Sequence, residues 1–216
     1  LAGFGEAVLN DIDSTLAAVA ALDPETGPTQ GRAAAKRVEL VIHQIVEIES
    51  SVDLQKDHGW GQRIHKQRMS LANVVEGRLR EAEKAALEAL PLHTPRQQRV
   101  RRPVPRLGVP PDERLVGRAL TLLAFSDELR ATANYGGFSS ARAKLVEKLG
   151  EFLGHYVEDV LDMLRAGEVE DREAVATFLE IAAEFSQLVS GEKAGELVRR
   201  RTQAALHPDS HSETYG

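Results

Sequence analysis

The sequence predicts an all-α fold, a helical bundle of about seven helices, and three observations support this prediction. Apolar residues recur three or four positions apart over most of the 216 residues, which is the period of an amphipathic helix. Aromatic residues make up only 5% of the chain, whereas strands favour aromatic and β-branched side chains. Segments rich in proline and glycine separate the periodic stretches, as loops do.

Three amphipathic helices are predicted before residue 91. The first covers residues 4–22 and ends at Asp23-Pro24, because a residue that precedes proline is pushed out of the α region. The second runs from about residue 32 into the fifties, and the third covers about 62–90, with a break at the sequence DHGWG between them. The residues predicted to face the core are Phe4, Val8, Ile12, Leu16 and Val19, then Val38, Val41, Ile42, Ile45 and Ile48, then Leu71, Val75, Leu79, Ala82 and Ala86.

Residues 91–111 are predicted to form an extended connector, since they hold six of the nine prolines of the chain. They also carry five arginines and no acidic residue. The whole chain has a net charge of −6, so removing the +5 of the connector leaves −11 on the rest. The predicted organisation is a helical region 1–90, the connector 91–111, a helical region 112–207 and a polar tail 208–216. Whether the two helical regions share one core is left open.

Four more helices are predicted after the connector, at about 112–133, at 140–166, from Asp171 onwards, and at 191–206. Ser139 or Ser140 and Asp171 are expected N-caps, since their side-chain oxygens can accept bonds from free amides of the first turn. The residues predicted to face the core are Leu115, Ala119, Leu122, Leu123 and Leu129, then Leu145, Leu149, Phe152, Leu153, Tyr156, Val160 and Leu164, then Phe178, Ile181, Phe185 and Leu188.

The second and third helices, and the fourth and fifth, are predicted to form two antiparallel helical hairpins with the connector as the crossover between them. Their sequences can be aligned. Setting Arg37 against Arg118 also sets Glu47 against Glu128, and a four-residue gap then sets Gly77 against Gly154. An internal duplication and the period common to all amphipathic helices both explain this similarity.

Several classes of protein are excluded or disfavoured by composition. The chain has no cysteine, which excludes disulfides, zinc–thiolate sites and iron–sulfur clusters. No apolar run approaches the roughly 20 residues that span a bilayer, so we expect no membrane span. There is no Gly-x-Ser-x-Gly elbow and no glycine-rich phosphate loop. We expect a cytoplasmic protein without cofactors, and the content of Ala, Leu and Arg suggests a bacterial source.

Two histidines have carboxylates one helical turn away on both sides. His43 lies between Glu39 and Glu47, and His155 lies between Glu151 and Asp159. Imidazole and carboxylates on one helix face can bind a metal, but di-iron bundles use a Glu-x-x-His spacing that no histidine of this chain has. Both histidines also lie off the apolar stripes. The sequence therefore favours solvated i, i+4 pairs and predicts no metal site.

An acidic run on the fifth helix consists of Glu158, Asp159 and Asp162. Acidic residues three or four positions apart on a helix can hold magnesium for phosphate chemistry, as all-helical isoprenoid synthases and nucleotide pyrophosphohydrolases do. Such enzymes need a second acidic cluster on a facing helix, and Asp127-Glu128 is an incomplete candidate. A solvated acidic face is the alternative interpretation, and the sequence favours it.

Two features are candidates for binding a partner. One is the set of arginines in the connector: Arg96, Arg99, Arg101, Arg102 and Arg106. They could bind phosphates, but no aromatic residue is interleaved for base stacking and the flanking helices are acidic, so nucleic acid is disfavoured. Contact with the protein's own acidic helices or with an acidic partner is favoured. The other is Trp60, either a cap on the end of a hairpin or an anchor for a partner.

The favoured hypothesis is a non-catalytic helical protein–protein interaction or adaptor module. It rests on long amphipathic helices, on few convergent polar groups and on the segregation of charge at the connector. Pairing of helix faces also makes a homodimer a reasonable expectation. The first alternative is a magnesium-dependent all-α enzyme acting on a phosphorylated or pyrophosphate substrate. The second is nucleic-acid binding through the connector.

Overall fold

The computed structural model describes residues 2–51, 59–95 and 102–208, and within them the chain forms seven α-helices, which confirms the all-α fold class. Two 3-10 turns, Pro24–Thr26 and Leu129–Ala131, precede α2 and follow α4. None of the described helices has the length and apolar content needed to cross a membrane. The helices are α1 Ala2–Ala20, α2 Pro28–Ser51, α3 Trp60–Ala89, α4 Glu113–Glu128, α5 Ser139–Arg165, α6 Arg172–Ser190 and α7 Glu192–Leu206.

Aspartate side chains start three of the helical segments. Asp23 accepts a bond from the amide of Glu25 at 2.9 Å, and Asp112 accepts from the amides of Arg114 and Leu115 at 2.9 and 3.2 Å. Asp171 caps α6 as predicted, accepting from two amides at 3.0 Å each. These bonds satisfy amides that have no partner within the helix.

The chain divides into two compact units. The first consists of residues 1–83 and 117–145, and the second of residues 84–116 and 146–216. The cuts between them fall inside α3, α4 and α5, and the connector lies entirely within the second unit. The predicted division of the chain at 91–111 therefore stays a prediction, as does the arrangement in two hairpins.

The core of the first unit is built from the apolar stripes of its helices. Val38, Val41 and Ile45 of α2 are fully buried. The stripe of α1 passes through Leu9 rather than through the predicted Val8, which is only half-buried. Helix α2 comes close to α4 at Gly31, where an added Cβ would collide with the carbonyl oxygen of Thr121. A small residue is needed there because the obstacle is backbone.

The core of the second unit is built around the later part of α5 and the pair α6 and α7. Tyr156 and Val160 of α5 are buried, as are Phe178 and Phe185 of α6. The turn between α6 and α7 needs Gly191, whose φ is 102°. The predicted core residue Phe152 is half-buried, and its ring lies 6.0 Å from that of Tyr156.

The connector contains a short antiparallel ladder that the sequence analysis did not predict. Strand β1, Leu92–His93, pairs with strand β2, Val104–Pro105, with Leu92 opposite Pro105 and His93 opposite Val104. The amide of Arg106 also donates to the carbonyl of Pro91 at 2.9 Å. We call residues 91–93 and 104–106 the hairpin base. The backbone of the four strand residues is extended, and the pairing between them is what the sequence did not indicate. Pro105 is tolerated in the ladder because an edge strand can do without one backbone donor.

Candidate functional site

Each carboxylate of the acidic run on α5 has an arginine as its partner. Glu158 binds Arg201 of α7 through two bonds of 2.6 and 2.8 Å. Asp159 binds Arg102 at 2.6 Å, and Asp162 binds Arg165 of the same helix at 2.9 Å. The structure thus brings the three predicted acids together on one helix and supplies one guanidinium to each.

The arginines neutralise the negative charge with which the acidic run could bind a metal ion. The hydrogen bond from Arg201 holds the pKa of Glu158 below its ordinary value, so this carboxylate stays ionised and paired. A magnesium ion would have to displace guanidinium groups that already neutralise the run. Among the described residues no group of three or more histidines and carboxylates could hold a metal ion. Asp127, half of the predicted second cluster, binds Arg130 at 2.7 Å.

The arginines of the connector are only partly within the described residues. Arg96, Arg99 and Arg101 lie outside them. Arg102 forms an ion pair with Asp159 on α5 of the same protein. This is the predicted type of contact, between a connector arginine and an acidic helix, and it is seen at this one position of the described residues. Arg106 is exposed, and its backbone forms part of the hairpin base.

Trp60 is the first residue of α3 and is half-buried within the first unit. Its Nε1 donates to Glu6 at 3.2 Å. The six-membered ring covers Gly5, where an added Cβ would collide with Cη2 of the indole. These contacts place the ring against α1, and the role of Trp60 as an anchor for a partner stays a prediction.

A polar network continues from Trp60 along α3. Arg63 donates to Glu6 at 2.7 Å, to Asn10 at 2.6 Å and to Asp13 at 2.9 Å. The buried Gln67 also donates to Asp13, at 2.9 Å. No sequence pattern predicts this network, because glutamine and arginine on a helix usually indicate a solvated face.

An open groove of about 990 Å³ lies beside this network. Its walls include Asp13, Arg63, His65, Lys66 and Gln67. Basic and amide side chains outnumber the one carboxylate among them, and that carboxylate, Asp13, is already paired with Arg63. The network therefore explains how α1 is attached to α3 more directly than it explains any chemistry.

Tyr135 is the most exposed of the large apolar side chains in the described residues, at 67%. It lies between α4 and α5 in the segment NYGGF, which the sequence analysis interpreted only as a turn. A tyrosine between an asparagine and two glycines gives a strong turn signal, and nothing in its spacing indicates whether the ring points outward. The structure was needed to find it.

The loop that carries Tyr135 is held on several sides. The amide of Tyr135 donates to the carbonyl of Thr132 at 3.1 Å, and the guanidinium of Arg68 on α3 donates to the carbonyl of Tyr135 at 3.4 Å. Phe138 is fully buried and packs where Gly136 has no side chain, since an added Cβ would collide with the ring. Gly137 supplies the φ of 76° that the turn requires.

Arg68 is itself fixed by Glu49 of α2. Two hydrogen bonds join the guanidinium of Arg68 to the carboxylate of Glu49, and the one that Nε donates is 2.7 Å long. The hydrogen bonds that Arg68 donates lower the pKa of Glu49, and the same bonds raise the pKa of Arg68. The pair therefore stays charged at neutral pH and links α2, α3 and the Tyr135 loop.

The chain matches no family model, no curated protein and no solved structure. What the Tyr135 loop and the acidic run do is therefore inferred from their own geometry.

Proposed function

We propose that this chain is a non-catalytic helical protein–protein interaction or adaptor module, and that Tyr135 is a contact residue. The observation that carries the proposal is an exposed aromatic ring on a loop whose backbone is held by Thr132, Arg68 and Phe138. Tyrosine is enriched at interface hot spots because it offers a large apolar area and a hydroxyl with few rotatable bonds. A loop that is already ordered also loses little entropy on binding.

Other side chains of the first unit support a contact role. Leu40, Val46 and Met69 are large apolar residues that are at least 43% exposed on α2 and α3. Arginine is enriched at interfaces as well, and Arg68 lies at the base of the Tyr135 loop. These residues provide apolar area and a fixed charge without contributing to the core.

The two alternatives gain no such support from the described residues. A magnesium enzyme would use Glu158, Asp159 and Asp162, each of which is paired with an arginine. Nucleic-acid binding would use connector arginines, of which Arg102 is paired with Asp159. Both stay hypotheses, and alanine at the three acids or at the arginines, followed by metal-binding or salt-titration measurements, tests them.

The proposal includes a cytoplasmic, bacterial protein that forms a homodimer. Native mass spectrometry of the purified chain tests the homodimer directly. A mass of two chains supports it and a mass of one chain contradicts it.

The test of the proposed function compares Tyr135→Ala with Leu197→Ala, a substitution of an exposed apolar residue of α7 in the second unit. The wild-type protein captures a partner from its source cells, and the affinity of that purified partner is then measured by calorimetry for all three proteins. We expect Tyr135→Ala to weaken binding at least about tenfold, or roughly 1.4 kcal/mol. Leu197→Ala should bind like wild type.

Equal dissociation constants for the three proteins would remove Tyr135 from the interface. A specific partner that is lost equally with both variants would also contradict the assignment of the contact to the first unit. Circular dichroism and thermal unfolding of each variant ensure that a loss of binding is not a loss of fold.

A further inference from the structure

The hairpin base has few contacts of its own. Its strands are two residues long, and one further backbone bond joins Arg106 to Pro91. Leu92, His93 and Arg106 are exposed, and Pro105 is the one buried residue of the base. A two-stranded ladder of this size is not stable in water without other contacts. Something outside the ladder must therefore hold it in place.

The ion pair between Arg102 and Asp159 is a contact of the required kind. Arg102 lies two residues before β2, and its guanidinium is 2.6 Å from the carboxylate of Asp159 on α5. The side chain of Asp159 is only 15% exposed, so its charge needs a partner. The side chain of Arg102 is 62% exposed, so dissolved ions reach the same pair.

The two acids nearest to Asp159 along α5 already have partners. Glu158 is held by the two terminal guanidinium nitrogens of Arg201, and Asp162 is paired with Arg165. Losing Asp159 would leave Arg102 next to carboxylates that already have partners. Losing Asp159 would thus remove the ion pair that joins Arg102 to α5.

We propose that the hairpin base opens independently of the rest of the second unit, and that the Arg102–Asp159 pair is a salt-sensitive contact that keeps it closed on α5. Raising the ionic strength screens the pair and increases the open fraction. An anion that binds Arg102 acts in the same direction because it competes with Asp159. The element is a strap whose position responds to the ionic surroundings, and this property is independent of the function proposed for the Tyr135 loop.

The test is amide hydrogen exchange of Arg106, whose N–H is bonded to Pro91 across the base. Exchange is measured by NMR on the full chain at about 0.05 M and about 1 M NaCl, where the Debye length falls to about 3 Å. For wild type we expect protection to fall about two- to fivefold at high salt, as for the loss of one exposed ion pair. Asp159→Asn should show the lower protection at both concentrations.

Two further variants separate the ion pair from a general structural effect. Asp162→Asn removes an acid whose partner is on its own helix, and it should leave the exchange of Arg106 unchanged. Asp159→Glu keeps the charge and should retain the salt dependence. Protection in wild type that does not respond to salt, or Asp159→Asn that matches wild type at low salt, would overturn the proposal. An equal loss of protection throughout α6 in Asp159→Asn would overturn it too, because opening would then not be local.

Discussion

The hydroxyl of Tyr156 is buried in the second unit without a hydrogen-bond partner among the described residues. Burial raises the pKa of this phenol, so the group is neutral but still desolvated. We expect Tyr156→Phe to raise the free energy of unfolding by about 1 kcal/mol, because an unpaired buried hydroxyl costs free energy that phenylalanine does not. Urea unfolding followed by circular dichroism measures the shift.

The matched control is Tyr135→Phe, which removes the same hydroxyl from an exposed ring. It should change stability by no more than about 0.5 kcal/mol in either direction. If Tyr156→Phe instead lowers stability, the hydroxyl has a partner, and a buried water molecule would be the first one to look for.

At the scale of residues, local spacing predicted the acidic run but not its neutralisation. Arg165 lies three positions from Asp162, so this pair could be read from the sequence. Arg102 and Arg201 lie 57 and 43 positions from their acids, and only the fold brings them together. The exposure of the Tyr135 ring could not be predicted either, because turn residues give no periodic pattern that marks a buried face.

The close approach of α2 to α4 at Gly31 leaves no room for a side chain at this position. In Gly31→Ala the new methyl group would collide with the carbonyl oxygen of Thr121, and a backbone obstacle cannot move as a side chain can. We expect the substitution to lower the free energy of unfolding by about 1–3 kcal/mol, the usual cost of overpacking. Chemical denaturation of the purified variant measures this cost.

The control is Gly77→Ala in α3, where an added Cβ meets nothing within 4 Å. Both glycines are inside helices, so both substitutions gain helix propensity and only Gly31→Ala meets an obstacle. Gly77→Ala should therefore raise stability by about 0.5–1 kcal/mol. A rise of the same size in Gly31→Ala would mean that the two helices can separate at no cost.

The helices could be predicted because the period of the apolar residues and the positions of the helix-breaking residues indicate the same segments. Helix α5 covers Ser139–Arg165 where 140–166 was predicted. Helix α2 begins earlier than predicted, at Pro28, because proline is tolerated in the first turn of a helix. The ladder in the connector was missed because strands of two residues leave no alternating pattern in the sequence.

At the scale of the molecule, the sequence established the fold class but not the arrangement. An apolar stripe shows which face of a helix is buried, but it does not identify the helix that covers that face. For this reason the two hairpins and the internal duplication stay predictions. The hydrogen bonds that join α1 to α3 through Trp60, Arg63 and Gln67 link residues fifty or more positions apart. No periodic pattern encodes them.

The response of the whole molecule to acid follows from carboxylates in both units. Burial raises the pKa of Asp13, but the bonds from Arg63 and Gln67 and the charge of Arg63 together lower it by more. The pKa values of Glu49 and Glu158 are lowered first by their bonds with Arg68 and Arg201. A folded pKa below the unfolded value contributes stability that is complete above the unfolded value and is lost as pH falls through the folded one.

We therefore expect the free energy of unfolding to change little between about pH 7 and pH 5 and to fall below the ordinary pKa values of 3.8 and 4.5. Urea unfolding at a series of pH values measures the profile. In Glu49→Gln the fall should be smaller, because this variant has already lost the ionised partner of Arg68 at every pH. A profile that is as steep in Glu49→Gln as in wild type would mean that the Glu49–Arg68 pair contributes nothing to stability. A profile that does not fall at all would mean that none of the three carboxylates gains stability from its arginine.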